Sequence, residues 1–497
     1  MKNSFIKQII GLSSVCLFAQ MTMAASTSDS LPQNEKIKLL EERIDILEHK
    51  HQEDIKNKPI DPVLALPQVN FREKYDTAPP YDQDLTLLKM RKGYENELKE
   101  RDIIPLPYPR IELGGSVIGL GTMRKPPKVP PANGKMQSDL TLSGANLNVT
   151  AEMMQELMGS LRISYNPNGP ERFNESTITT RVANSAIFLN TAFLTLGDLN
   201  RFPFYLSAGQ MFLPFGAYSS SLVVAPLTAR VGRMKQRPLL LGYQGTGATS
   251  AFNASIFGFK GDAFVDKHSG VLNNGGANLG YKFSHSLFSI NAGASVISNI
   301  ADAGGMQNTG PSTIVSDAGD FVDNDFLDED DEDEDADLVI KTFRGFGAKE
   351  NLVHKVPAVN ARARLALVPI PISFYGEMVR PTRPFAIENM SFNDGGARPS
   401  AWNAEAAIRF PVFDNPSSIS VGYGRSQQGL ALNLPRYSTG GAFRIKFKRF
   451  LSCALGYQYD VAYPLDSFAT GQLFPVNANK FVGTVTHTVV AQVTGRF

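Results

Sequence analysis

A chain of 497 residues with 49 Lys and Arg against 48 Asp and Glu has a formal charge of +1, too balanced for an electrostatic pull toward nucleic acid. It is 42% hydrophobic and 20% charged, and after residue 24 no run approaches about 18 consecutive apolar residues, which excludes helices that span a membrane. Two cysteines, Cys16 and Cys453, exclude a disulfide framework.

Residues 1–24 have the layout of a secretory signal peptide. Lys2 and Lys7 flank the start, an apolar run covers Ile9 to Ala19, and Thr22-Met23-Ala24 supplies small residues for cleavage after Ala24. Residues 25–109 are predicted to form a periplasmic helical segment. Ile37, Leu40, Ile44 and Leu47 are spaced 3, 4, 3, giving a short coiled coil within 35–55 that His51 and Asp54 break. Two heptads are too few to stand alone. Either a homo-oligomer, such as a trimer, forms through 35–55, or the helix lies on its own barrel. A Pro-rich tether follows (Pro59, Pro62, Pro67, Pro79, Pro80), then a second helix over 84–101 that Pro105, Pro107 and Pro109 end.

From residue 110 the period changes to 2, and the chain reads as strands at 110–122, 138–151, 157–166, 184–197, 203–213, 238–245, 249–259, 276–283, 287–299, 356–368, 371–380, 400–410, 418–426, 436–447, 451–461 and 480–497. Short turns alternate with long connections, the longest being 300–355, and an even strand count returns the chain to its starting side. The expected fold is therefore all-β: a 16-stranded antiparallel transmembrane β-barrel over 110–497, behind a short helical periplasmic segment. Outer-membrane lipid is its surroundings, the short turns and both termini are expected in the periplasm, and the long loops outside. The final strand alternates an apolar set (Phe497, Val493, Val489) with a polar one (Arg496, Thr494, Gln492). It resembles the closing strand of outer-membrane barrels, which implies that Phe497 is the signal read by the barrel-assembly machinery.

Strand phase also sorts the charged residues. Where Val359, Ala361 and Leu365 face lipid, Arg362 and Arg364 face the lumen; by the same rule Arg162, Lys282, Arg409, Arg444 and Lys446 point inward, as do the acids Glu377, Glu405 and Asp460. Seven bases against three acids predict an interior that favours anions. The connection 214–237 adds Arg230, Arg233, Lys235 and Arg237 without an acid: a basic constriction if it folds inward, a solvated loop if it does not. Within 300–355, Asp328–Asp335 is an unbroken acidic run, read as a self-repelling extracellular loop or as weak capture of hydrated cations. The six His residues are scattered without metal-ligand spacing, and no Ser has a base within a recognisable pattern. The sequence thus predicts no enzyme, metal site or cofactor.

The segments Ala192-Phe-Leu-Thr-Leu-Gly-Asp198 and Phe204-Tyr-Leu-Ser-Ala-Gly-Gln-Met-Phe-Leu-Pro-Phe-Gly216, continuing to Leu241-Gly242-Tyr243, resemble outer-membrane porins of the legiobactin-uptake type, the LbtU-like siderophore porins. The likeness in layout covers nearly the whole chain. It implies passive uptake of a ferric siderophore without an energy-coupled plug, and related proteins are linked to ferrous iron. About 85 residues ahead of the first strand are also too few for a globular plug. A general or phosphate-selective anion porin fits the basic lumen equally well, and a surface-exposed structural or adhesive barrel is the non-transport alternative.

Overall fold

The computed structural model describes residues 81–102, 108–125, 135–166, 186–265, 271–307, 312–316, 339–343, 351–352, 354–368, 370–387, 389–447, 450–469 and 482–497. The signal segment, the coiled coil 35–55, the Pro-rich tether and the acidic run Asp328–Asp335 lie outside the described residues. The chain divides into two compact units. One comprises residues 66–96 and 105–497 and carries everything discussed below. Of the other, the described part is the last helical turn, where Arg101 Nη2 donates to Glu97 Oε1 at 2.6 Å.

Helix α1 is Gln83–Glu100. The strands are β1 (Arg110–Lys125), β2 (Gln137–Met154), β3 (Leu157–Asn166), β4 (Ala186–Leu196), β5 (Phe204–Phe212), β6 (Leu239–Thr246), β7 (Ser250–Phe259) and β8 (Asn274–Ser284). They continue as β9 (Phe288–Ile297), β10 (Ala358–Leu367), β11 (Ile372–Pro381), β12 (Ser400–Val412), β13 (Asn415–Gln427), β14 (Tyr437–Phe447), β15 (Leu451–Val461) and β16 (Val485–Arg496). Each pairs antiparallel with the next, and β16 closes on β1 from Ser116↔Arg496 to Lys125↔His487. Sixteen strands thus form a closed barrel, as the period-2 pattern predicted; closure leaves no sheet edge to satisfy in lipid.

Burial follows the alternation. On β10, Asn360 and Arg362 are buried while Ala361 and Ala363 are exposed. Leu113, Leu194, Leu241, Ile256, Val421 and Leu455 lie on the exposed face, so the outside is apolar and the inside polar. Aromatic belts bound this apolar band. At the short-turn rim Phe202, Phe204, Tyr243 and Phe252 contact in series; at the long-loop rim Trp402, Tyr423 and Tyr437 do so. Aromatic girdles at both ends of an apolar band are the mark of a bilayer-spanning barrel. This is a porin-like barrel of the outer-membrane kind.

Candidate functional site

The lumen is occupied from two directions. The first occupant is the connection between β5 and β6. It turns inward at Gly209, whose φ of +131 and close approach to the Ala192 carbonyl would strain any side chain. Beyond this kink β5 leaves β6 and pairs with Lys235–Gln236 instead.

Two wall carboxylates fasten the connection. Glu377 accepts from the backbone N–H of Ala217 at 2.7 Å and of Tyr218 at 2.8 Å, and also from Asn360 Nδ2 at 2.9 Å and the Tyr375 hydroxyl at 2.9 Å. Glu405 accepts from the Ser220 hydroxyl and the Ser221 N–H, both at 2.7 Å. Gly216 N–H donates to Ser295 Oγ at 3.1 Å, and Ser420 Oγ donates to the Ser221 carbonyl at 3.0 Å. The segment therefore crosses from β5 to the wall formed by β9 through β13. A short helix α2, Leu227–Gly232, continues it, and the Thr228 hydroxyl donates to Asn403 Oδ1 at 2.8 Å.

Glycines on the inner face make room for it. A Cβ on Gly422 would stand 2.9 Å from Leu222 Cδ1, one on Gly456 3.0 Å from Val223 Cγ2, and one on Gly424 3.3 Å from Leu227 Cδ1. All three occupy inward phases of β13 and β15, so the wall is recessed where Leu222, Val223 and Leu227 press into it. Burying these side chains stabilises the seat by roughly 1.5–3 kcal/mol each, as an upper bound.

The loop's other edge is basic. Arg233 lies 5.4 Å from the Phe212 ring centre, and Lys235 lies 5.3 Å from that of Phe188. Lys235 Nζ donates to Asn190 Oδ1 at 3.3 Å, and Arg237 Nε to Gln210 Oε1 at 3.3 Å. Among the described residues none of Arg230, Arg233, Lys235 and Arg237 has a carboxylate at ion-pair distance. Burial first, and the neighbouring Arg233 charge second, hold the Lys235 ammonium below the usual lysine range. Facing this edge is a wall of amides and hydroxyls. Asn190 Nδ2 donates to Ser164 Oγ at 2.9 Å, Ser164 Oγ to Asn146 Oδ1 at 2.6 Å, and Asn146 Nδ2 to Ser116 Oγ at 3.2 Å. Asn190 reaches inward because β3–β4 pairing slips by one residue there.

The second occupant is the start of α1. The Tyr81 ring lies 4.5 Å from the Arg362 guanidinium, midway along β10. Leu85 and Leu88 are each 1% exposed and share one apolar cluster with the inward-facing Met158, Phe193 and Tyr205. The helix is tied to the short-turn rim by Arg91 Nη2 donating to the Gly197 carbonyl at 2.8 Å, Lys92 Nζ to the Leu199 carbonyl at 3.0 Å, and Asn200 Nδ2 to Glu95 Oε2 at 2.7 Å. Arg91 also lies 3.8 Å from Asp198. The second helix, expected over 84–101, is thus observed at Gln83–Glu100, and among the described residues its first turns stand inside the barrel.

The residues marked by phase distribute as follows. Arg362 is buried and donates to Asn278 Oδ1 at 2.7 Å; Arg162 is half-buried and donates to Asn148 Oδ1 at 2.6 Å. Arg444 is buried, Arg364 and Lys446 half-buried, and Lys282 and Arg409 exposed near the short-turn rim. Glu377 and Glu405 hold the loop instead of lining open water, and Arg233, Lys235 and Arg237 are brought together on one edge, while Arg230 lies on α2. Phe497 exchanges backbone hydrogen bonds with Gly115 at 2.9 and 3.0 Å, with its ring exposed. Phase analysis missed Tyr81 and the recess, although the run of inward glycines in β13–β15 was visible in the period-2 pattern.

No family model matches the chain. It is 32% identical over 422 residues to a UPF0422 protein of Legionella pneumophila strain Lens, covering 82% of this chain and 71% of the relative. It is 30% identical over 395 residues to a UPF0422 protein of Coxiella burnetii, covering 79% and 73%. The chain belongs to the UPF0422 family. Solved structures that resemble this UPF0422 protein include the outer membrane channel DcaP of Acinetobacter baumannii, at TM-score 0.43 and 12% identity over 78% of this chain and 97% of that one. Pseudomonas putida OprB (TM-score 0.43, 8% identity, 82% and 97% coverage) and Salmonella typhi OmpF (0.41, 12%, 78% and 98%) are others.

Proposed function

We propose that this UPF0422 protein is a passive outer-membrane channel for small anionic solutes, and that its physiological cargo is an anionic iron chelate of the siderophore kind. The observation that carries the anion preference is the loop edge of Arg233, Lys235 and Arg237, with Arg230 on the adjoining helix α2, all four without carboxylate partners among the described residues. The facing amide wall supplies hydrogen bonds that a polyhydroxylated or carboxylate-rich chelate can exchange for water. Low dielectric at a constriction strengthens the field of such a cluster, which raises local anion occupancy. The iron chelate rests on the sequence resemblance. In this reading the short-turn rim faces the periplasm and the long loops face outward.

The test is reversal potential across a salt gradient for the purified protein and for the variant Arg230→Gln, Arg233→Gln, Lys235→Gln. Loss of anion preference in a folded variant is expected. An unchanged permeability ratio would remove the loop edge from the mechanism. Adding a ferric siderophore to the wild-type channel should block the current; block by inorganic phosphate alone would make it a phosphate-type anion porin instead.

A further inference from the structure

The outer face at the long-loop rim carries a feature that transport does not use. Trp402 and Tyr423 lie 5.3 Å apart and Tyr423 and Tyr437 6.2 Å, forming a stair across β12, β13 and β14. Two guanidinium groups finish it: Arg425 at 5.4 Å and Arg436 at 5.1 Å from the centre of the same Tyr437 ring. Arg425 shares the outward phase of Ile419, Val421 and Tyr423, and is registered opposite Trp402 and Tyr437. It therefore stands at the water-side edge of the lipid-facing band.

Neither arginine has a carboxylate at ion-pair distance among the described residues, and Arg425 Nε is buried there without a hydrogen-bond partner. Two cations held on one ring repel each other, and a ring quadrupole returns only about 0.5–1 kcal/mol at an exposed site. Such a pair becomes favourable when an anion with several oxygens bridges it, because a guanidinium presents a planar fork that matches phosphate. The belt at the opposite rim, Phe202, Phe204, Tyr243 and Phe252, has no cation on its rings among the described residues. Among the described residues of these two outer belts, the cations thus sit on the rings of the long-loop one.

We propose that Arg425, Arg436 and Tyr437 form a binding site for the phosphorylated headgroup of a glycolipid in the outer leaflet, with acyl chains lying along Tyr423 and Trp402. The site rests on the orientation given above and not on the channel's cargo. Trp402, the single tryptophan of the chain, is a built-in reporter at 39% exposure.

The experiment titrates the full-length protein in a neutral detergent while Trp402 emission is recorded. The probes are diphosphorylated lipid A, its dephosphorylated form, and inorganic phosphate. A saturable change is expected with the phosphorylated lipid, about tenfold weaker binding with the dephosphorylated one, and no response to inorganic phosphate. Arg425→Gln with Arg436→Gln should weaken the phosphorylated lipid by about tenfold, while Arg425→Lys with Arg436→Lys should retain part of the binding because the charge remains. Equal affinity for both lipids would overturn the proposal, as would an unchanged glutamine variant. A matching response to inorganic phosphate would reassign the pair to free anions. If the variants fail to fold, the wild-type comparison of the two lipids decides alone, and none of these readings depends on whether the pore conducts.

Discussion

The two occupants of the lumen are held in opposite ways. The loop after β5 is covalently fixed at both ends and docked through buried carboxylates that accept its backbone N–H groups. The start of α1 stacks on a cation through Tyr81 and is tied mainly at the rim. A loop docked by carboxylates is costly to release, since each freed acid and N–H would be stranded in a confined space. A helix docked by leucines and rim contacts gives up fewer polar bonds when it shifts. The loop is thus held by buried acceptors of its backbone, and α1 by apolar packing and by side chains at the rim.

The largest expected effect comes from breaking the loop's dock. Glu377→Ala leaves the Ala217 and Tyr218 N–H groups, the Tyr375 hydroxyl and the Asn360 amide without their shared acceptor. A loss of about 3–5 kcal/mol is expected, by analogy with breaking a buried charged network. The loop should leave the wall and single-channel conductance should rise severalfold. Conductance like that of wild type in a folded Glu377→Ala barrel would mean the loop is held by its apolar seat alone.

Filling that seat is the sharper and smaller test. Gly456→Val places methyl groups where Val223 packs, and overpacking of this kind costs about 1–3 kcal/mol. Conductance should increase less than in Glu377→Ala, with the barrel's own unfolding unchanged. Carrying out both substitutions together should give no more than Glu377→Ala alone, because they act on one element.

The helix offers the contrast. Tyr81→Ala with Arg91→Ala removes the stack on Arg362 and the rim anchor together. Brief open events should become more frequent, while resistance to unfolding falls by about 1–3 kcal/mol, since the buried Asp198 carboxylate and the Gly197 carbonyl each lose a partner. If this variant behaves as Glu377→Ala does, the difference between the two occupants disappears. Strengthening the helix instead is possible at Gly93, where an added Cβ meets nothing within 4 Å. Gly93→Ala should stabilise α1 by about 0.5–1 kcal/mol and lengthen closed intervals slightly.

How much of this was legible beforehand follows from which forces set each part. The wall was readable because a barrel strand must alternate, so Val359 and Arg362 announce their sides without any knowledge of partners. Arg230, Arg233, Lys235 and Arg237 were visible as an acid-free run, but their inward placement was not, since it depends on Glu377 and Glu405, far away in sequence. Phase alone gave those two glutamates as lumenal acids and could not show that their oxygens accept from the loop. Tyr81 and Leu85 were missed because an amphipathic helix reads the same whether it covers a barrel or enters one.

The smallest effect tests the rim beside the loop. Asp302, just past β9, is 2% exposed and accepts from the N–H groups of Asp262 at 2.8 Å and Ala263 at 2.9 Å and from Asn274 Nδ2 at 2.5 Å. Burial raises its carboxyl to about 6 from an ordinary 3.8, with the accepted N–H bonds opposing that rise only in part. A pKa above the unfolded value means that the folded rim binds the extra proton. Its stability is therefore greatest below about pH 4, falls as pH climbs toward 6, and is level above that. Exchange of the Asp262 and Ala263 amides, corrected for intrinsic rate, should show protection declining across that window. In Asp302→Asn the oxygen acceptor remains and the titration does not, so the slope should vanish while the Asn274 amide turns to present its oxygen. The same slope in the variant would clear Asp302 as its source.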